Sequence, residues 1–167
     1  MYIIDSNFFI RLNREIPCDS NDELWGLILG LAKSDYLKVP EKVIEELVRG
    51  TDKLANWIRD NKKDLWVRTE GIFDVLPDVL NKYQEGQENF LLDDLDYLEG
   101  IADPYVIAHA LKIDGVVVSS EQPCRGDYKT QRPKNRQIPD ICSACSVGFI
   151  TGMKFLVQIA KLLNQKE

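Results

Sequence analysis

The residues of this 167-residue chain that could do chemistry are acids standing at the ends of apolar segments. Asp5 closes the run Tyr2–Ile4 in "MYIIDSNFFI", and Asp103 opens "DPYVIAHALKI". Glu121 follows "GVVVSS", Asp140 follows Pro139 in "IPDIC", and Glu45 and Glu46 lie in "EKVIEELVRG". A lone ionised carboxylate at the end of a buried strand costs several kcal/mol unless a positive or hydrogen-bonding group meets it. Carboxylates brought within ~4 Å of one another repel by about 4 kcal/mol at an effective dielectric of 20. Such a group either takes up protons or holds a cation. Oxygen ligands without a His or Cys cluster suit Mg²⁺ or Mn²⁺. Sites of that kind act on phosphates, where one or two metals activate water and neutralise the leaving oxygen.

Each acid also has a plain structural use. Asp103 before Pro104 is a common helix start, so it reads as an N-cap. Its phase gives it a second use. The stripe Val106, Ile107, Ala110 and Leu111, at about 100° per residue, puts Asp103 over the buried side. Asp140 also reads as an N-cap, and Glu121 as a solvated residue on a strand-end loop. Glu45 and Glu46 each lie about 130° from the centre of the stripe Val43, Ile44, Leu47 and Val48, so helical phase does not choose between them.

Elements that could bring these acids together alternate along the chain. Tyr2–Ile4 reads as a short buried strand. Ser20 and Glu23 in "SNDE" form a capping box before Leu24, Leu27, Ile28 and Leu31. "YLKVP" holds a short strand. "EKVIEELVRG" reads as a helix stopped at Gly50, and "TDKLANWIRDNKK" as one capped by Thr51 or Asp52. Residues 72–98 read as mostly helical with a break at "QEGQEN". "ADPYVIAHALKI" is a helix with Asp103 at the cap and Pro104 at its first position. The β-branched run in "GVVVSS" lacks alternation, which suits a strand buried on both faces. "PDICSAC" reads as a short helix, "GFIT" as a last strand, and "MKFLVQIAKLL" as a terminal helix. Strands separated by helices imply an α/β layered fold, a central mainly parallel sheet flanked by helices, within a single domain over 1–167. Ligands in such sheets bind beyond the carboxyl ends of the strands, where Asp5 and the cluster Ser119, Ser120 and Glu121 both fall.

With these residues in view, the chain resembles PIN-domain ribonucleases. "YIIDSNFFI" is similar to their first strand and its Asp. "VPEKVIEELVRGTDKLANWIRDNKK" is similar to the second segment of a PIN-like subfamily whose glutamate precedes a Leu, which selects Glu46. "ADPYVIAHALKIDGVVVSSE" resembles the third segment, and "IPDIC" after a basic loop resembles the ending. The family pattern of Thr, any residue, Asp is replaced here by Ser119, Ser120 and Glu121. The fourth ligand is therefore open between Glu121 and Asp140. The resemblance implies a three-layer PIN-like fold and a metal-dependent endoribonuclease acting on single-stranded RNA. It is often the toxin, of the VapC type, in a toxin–antitoxin pair. It implies that Asp5, Asp103 and Glu121 or Asp140 bind Mg²⁺ or Mn²⁺. Glu46 would bind a second metal or orient the attacking water, and Ser119, Ser6 and Asn7 would support the ligands. It further implies a cytoplasmic homodimer and a cognate antitoxin protein.

The net charge of −6 argues mildly against non-specific nucleic-acid binding, but its distribution is uneven, and the resemblance implies that a basic loop meets the RNA. Segment 122–139 carries Arg125, Lys129, Arg132, Lys134 and Arg136 against Asp127, which is +4. The whole chain is −6, so the remainder is −10 (−6 minus 4). Such a loop would hold phosphates in a salt-sensitive way, or is simply a solvated loop. No stretch approaches the ~18 apolar residues of a membrane span. No basic start followed by a long apolar segment marks a signal peptide. Four cysteines without that signal fit a reducing compartment. "CSAC" puts Cys142 and Cys145 at redox or half-zinc spacing, which is also plain core spacing. His109 is expected at a surface or boundary, almost two turns beyond Asp103. Trp25, Trp57 and Trp66 are expected in packing, although one could stack on a base. A haloacid-dehalogenase-type phosphatase wants Asp, any residue, Asp, and here Asn7 takes the third place. A PIN fold without catalysis, serving as an RNA- or protein-binding module, is the alternative reading.

Overall fold

A computed structural model of the protein describes residues 1–87 and 92–164, with side chains described except at 92–95 and 162–164. Five short strands form one parallel sheet: β1 (Tyr2–Ile4), β2 (Leu37–Pro40), β3 (Trp66–Val67), β4 (Val116–Ser119) and β5 (Gly148–Thr151). Their order is β3-β2-β1-β4-β5, and every pair runs parallel. Helices intervene: α1 (Ser6–Glu15), α2 (Asp22–Lys33), α3 (Glu41–Leu47), α4 (Lys53–Leu65), α5 (Leu76–Gln84), α6 (Leu92–Gly100), α7 (Asp103–Lys112), α8 (Ile138–Ala144) and α9 (Gly152–Asn164). The expected three-layer α/β arrangement is the one the chain adopts.

The aromatic side of the core is built from α1, α2, α4 and α9. Phe9 stacks on Trp25, Trp25 meets Trp57 edge-on with centroids 4.8 Å apart, and Phe8 meets Phe155 at 5.5 Å. Trp25 is therefore a core residue and Trp57 packs beside it. Trp66 lies half-buried under Lys62 and Arg68. The second group is α5, α7 and α8, with α7 against β1, β2 and β4. Pressed between the sheet and its two neighbours, α7 buries every residue from Pro104 to Ala110. His109 is among them, only 3% exposed. This corrects its expected surface or boundary position, which assumed a helix with one apolar stripe and one wet side.

Several local expectations are also corrected. No helix was expected directly after the first strand, yet α1 begins at Ser6, and Asp5 caps it by accepting from Ser6 N at 2.7 Å. The cap of α2 is Asn21, which accepts from Leu24 N, rather than Ser20. Asp52 rather than Thr51 caps α4. Asp103 is the first helical residue of α7, whose cap position is Ala102, and it makes no capping bond. Gln137 holds the cap position of α8, so Asp140 sits inside the first turn. The two-residue strand β3 was not foreseen; pairing with β2 puts Trp66–Val67 in extended form. In the expected helical break, residues 85–87 do leave the helix, and the rest of it lies outside the described residues.

Candidate active site

Strand order places the site. β2 lies on one side of β1 and β4 on the other, so the chain changes direction between β1 and β4. Connections at such a switch point leave in opposite directions and open a crevice at the carboxyl ends of the two strands. Asp5 and Ser119 stand there as neighbours. Asp5 N donates to Val118 O at 3.0 Å, and Ser119 Oγ donates to Asp5 Oδ2 at 2.7 Å. Asp5 is fully buried. Burial pushes its carboxyl up, the bonds from Ser119 and the Ser6 amide pull it back, and the charge of Glu46 pushes it up again.

Three more elements deliver acids to this rim. The start of α7 brings Asp103. Burial, followed by the charges of Asp5, Glu121 and Glu46, holds the Asp103 carboxyl well above the usual range. The loop after β4 brings Glu121, which accepts from Ile138 N at 2.8 Å and from Asn7 Nδ2 at 3.2 Å. Burial raises its carboxyl, the Ile138 amide opposes this, and Asp5 and Asp140 add to the rise. Helix α3 brings Glu46, which accepts from Ala102 N at 3.1 Å, next to Asp103. Glu45 points away, exposed. Asp140 stands one step outward, accepting from Cys124 N at 2.9 Å. Its charge acts on Glu121, while Asp5 feels Glu46, and Asp103 feels Asp5, Glu121 and Glu46.

Burial without positive partners raises carboxyl values, and mutual charge raises them further. Asp5, Asp103 and Glu121 show both effects and belong to one electrostatic unit. The acids are nonetheless spread by their own hydrogen bonds. Among the described residues, no three Asp, Glu, His or Cys side chains are gathered closely enough to hold a metal ion as they stand.

A family model described as a domain of unknown function (DUF4411) matches residues 2–161. The chain belongs to that family. No match is found among curated proteins or among solved structures. The matched span contains all of the acids above and the whole basic loop.

In this DUF4411 chain the basic loop divides in two. Arg125, Arg132 and Lys134 are exposed, and no ion pair involves them among the described residues. Arg136, expected to face RNA, turns inward instead and is 3% exposed. Its guanidinium donates to the carbonyls of Gln131, Lys82, Glu85 and Lys129 and lies over the Tyr128 ring. Five rigid donors suit a buried knot of carbonyls better than a solvated phosphate contact. Lys129 pairs with Glu85, whose carboxyl it holds down at about 2 with help from Tyr128 and Lys82.

Other features missed from the sequence lie beside the acids. An open groove of about 540 Å³ is lined by Asn7, Ile10, Arg11, Arg14, Glu15, Ser120 and Glu121, with Arg11 paired to Glu15. Arg11 and Arg14 enter it because α1 starts directly after Asp5, a helix the sequence did not reveal. Ser6, named from the sequence as a support for the ligands, is buried at the start of α1, with its hydroxyl 3.4 Å from Asp5 Oδ1. Tyr83, on α5, is fully buried, and its hydroxyl has no hydrogen-bond partner. Its spacing from Leu76 and Val79 hid it in an ordinary apolar stripe. Cys142 is buried, with its thiol pushed up by burial, and all four cysteines are free.

Proposed function

We propose that this chain is a divalent-cation-dependent endoribonuclease of the PIN-like kind, acting on single-stranded RNA. The observation that carries this is the meeting of Asp5, Asp103 and Glu121 at the switch point: burial raises all three carboxyls, Glu46 adds to Asp5, Asp5 and Glu121 add to Asp103, and Asp5 adds to Glu121. The donor set is all oxygen, which fits Mg²⁺ or Mn²⁺ and not a softer metal. Asp5, Asp103 and Glu121 would hold the cation, with Glu46 or Asp140 completing the set. When bound, the cation would activate water and neutralise charge on the leaving oxygen. The chain's own residues prepare this. Ser119 and the Ser6 amide fix Asp5, Asn7 fixes Glu121, and Ala102 N fixes Glu46. Arg11 and Arg14 along the groove, with Arg125, Arg132 and Lys134 on the loop, would meet RNA phosphates.

A toxin role, an antitoxin partner, a homodimer and a cytoplasmic location belong to the same proposal and follow the family resemblance. No helix among the described residues is long and apolar enough to cross a membrane.

One observation favours a second reading. Glu46, Glu121 and Asp140 each already accept a backbone N–H, and the acids are not gathered at ligand distance. A PIN-like module that binds RNA or protein without catalysis would look the same. Mn²⁺ separates the two. The nuclease reading expects Mn²⁺ to raise the melting temperature and to support cleavage of single-stranded RNA, with both effects lost in Asp5→Asn. RNA binding with no Mn²⁺ response in either protein would establish the binding module.

A further inference from the structure

A cavity of about 240 Å³ adjoins the groove beside the acids, between α1 and α9 and beyond the carboxyl ends of β4 and β5. Its shape follows from how β5 turns into α9. Thr151 ends β5 as the register partner of Ser119, so α9 begins level with the rim of the site. Thr151 Oγ1 accepts from Lys154 N at 3.3 Å, in the first turn of that helix. Gly152 follows, and its backbone comes so near α1 that a Cβ would stand 2.8 Å from Phe8 Cδ2. Phe8 is itself packed edge-on against Phe9 and Phe155. The cavity floor is therefore firm.

The walls are of two kinds. Phe8 and Leu12 of α1, with Met153 and Leu156 of α9, are apolar. Ser120, Gln122 and Thr151 bring two hydroxyls and an amide to one edge. Among the described lining residues the charged ones are Arg11 and Glu15, and they pair with each other at 3.1 Å. The cavity thus favours a neutral occupant over a phosphate. Sites for drug-sized ligands hold about 300–1,000 Å³, so this one suits a single ring system and not a whole nucleotide. A flat heterocycle has apolar faces and a rim that donates and accepts, as an amide and a hydroxyl also do.

Position agrees with this choice. Arg11, Glu15 and Ser120 line both the cavity and the groove beside the acids. Ser120 directly precedes Glu121, one of those acids. A single strand lying in the groove has the cavity within reach of one of its bases.

We propose that this cavity is a subsite for one unpaired nucleobase, held against Phe8, Leu12 and Leu156 and read at its edge by Ser120 and Gln122. The subsite would set which base stands beside the acids. It rests on the RNA reading of the site and not on a bound cation.

The test titrates the four nucleoside 5′-monophosphates, with ribose 5-phosphate as control, into the isotope-labelled full chain without metal. Saturable shifts of the Gly152 and Met153 amide resonances are expected with at least one nucleotide. Ribose 5-phosphate should bind at least about tenfold more weakly, since it lacks the base. Equal binding of ribose 5-phosphate would show a phosphate held at the start of α9 and overturn the subsite. Leu156→Trp fills the cavity and should abolish the shifts while the resonances of β1 and β2 stay in place. Gln122→Ala alters an exposed loop residue and should change the preference among the four bases. Shifts that survive the first variant, or a preference untouched by the second, refute the assignment. Binding of a single-stranded oligoribonucleotide, followed by fluorescence anisotropy, separates the two proposals. RNA bound by a wild type whose cavity ignores every nucleotide overturns the subsite alone, and no RNA bound at all overturns both.

Discussion

Removing one charge from the acid group should make the metal-free protein more stable, and Asp103→Asn is the cleanest way to see it. Asp103 is partly buried at the first position of α7, where its side chain makes no capping hydrogen bond. Substitution by Asn therefore breaks no capping bond while keeping the shape. Asp5, Glu121 and Glu46 all push against its charge. Two unit charges ~8 Å apart at an effective dielectric of 20 repel by about 2 kcal/mol. Relief of about 1–3 kcal/mol is expected at pH 7.5. In a chain of this size that raises the melting temperature by about 2–12 °C. The pH dependence fixes the cause. A carboxyl whose folded value lies above its unfolded 3.8 leaves the native state unpenalised below 3.8, and the penalty appears as pH rises through the folded value. The advantage of Asp103→Asn should thus be large at pH 7.5 and shrink toward pH 4. Urea unfolding of both proteins at the two pH values checks it. An Asn variant that is less stable by the same amount at both would show that Asp103 serves the fold and that charge repulsion is not its defining feature.

Four further outcomes are expected. His109 is buried with its value lowered to about 4 by desolvation, so the unfolded state binds more protons between about 4 and 6.5. Stability should fall by up to about 3 kcal/mol as pH drops through that window, and His109→Leu should flatten the urea midpoint over it. Arg136→Ala should lose about 2–4 kcal/mol and open the 122–137 loop to limited proteolysis, because four carbonyls lose their donor. Arg132→Ala and Lys134→Ala should instead keep the melting temperature and each reduce the salt slope of RNA binding by about one. Gly152→Ala would put a Cβ 2.8 Å from Phe8 Cδ2, a ring wedged between Phe9 and Phe155, and should cost about 1–3 kcal/mol by thermal melt.

Part of the site was legible because it depends on short-range pattern. Val116–Val118, without polar alternation, declared a strand covered on both faces, and α1, α7 and α9 pack against it. Asp5 was conspicuous because a carboxylate ended an apolar run. Glu46 and Glu45 could not be separated by phase, and the difference lies in a partner 56 residues away, the Ala102 amide. Arg136 was misjudged for a similar reason. In a run of basic residues all five look alike, and only the carbonyls at the end of α5 single one out for burial. Tyr83 looked apolar because its hydroxyl makes no local contact that a spacing rule would notice.

The sequence by itself determined the alternation of strands and helices, the apolar segments that form the layers, and the placing of acids at their ends. Those features follow from periodicity and from the cost of burying charge, which act over a few residues. Tertiary structure alone decided that β1 and β4 are neighbours, that α7 has no wet face, and which acids feel one another. These depend on contacts across more than a hundred residues, such as Ser119 with Asp5, where the geometry of closure and not local preference sets the distance.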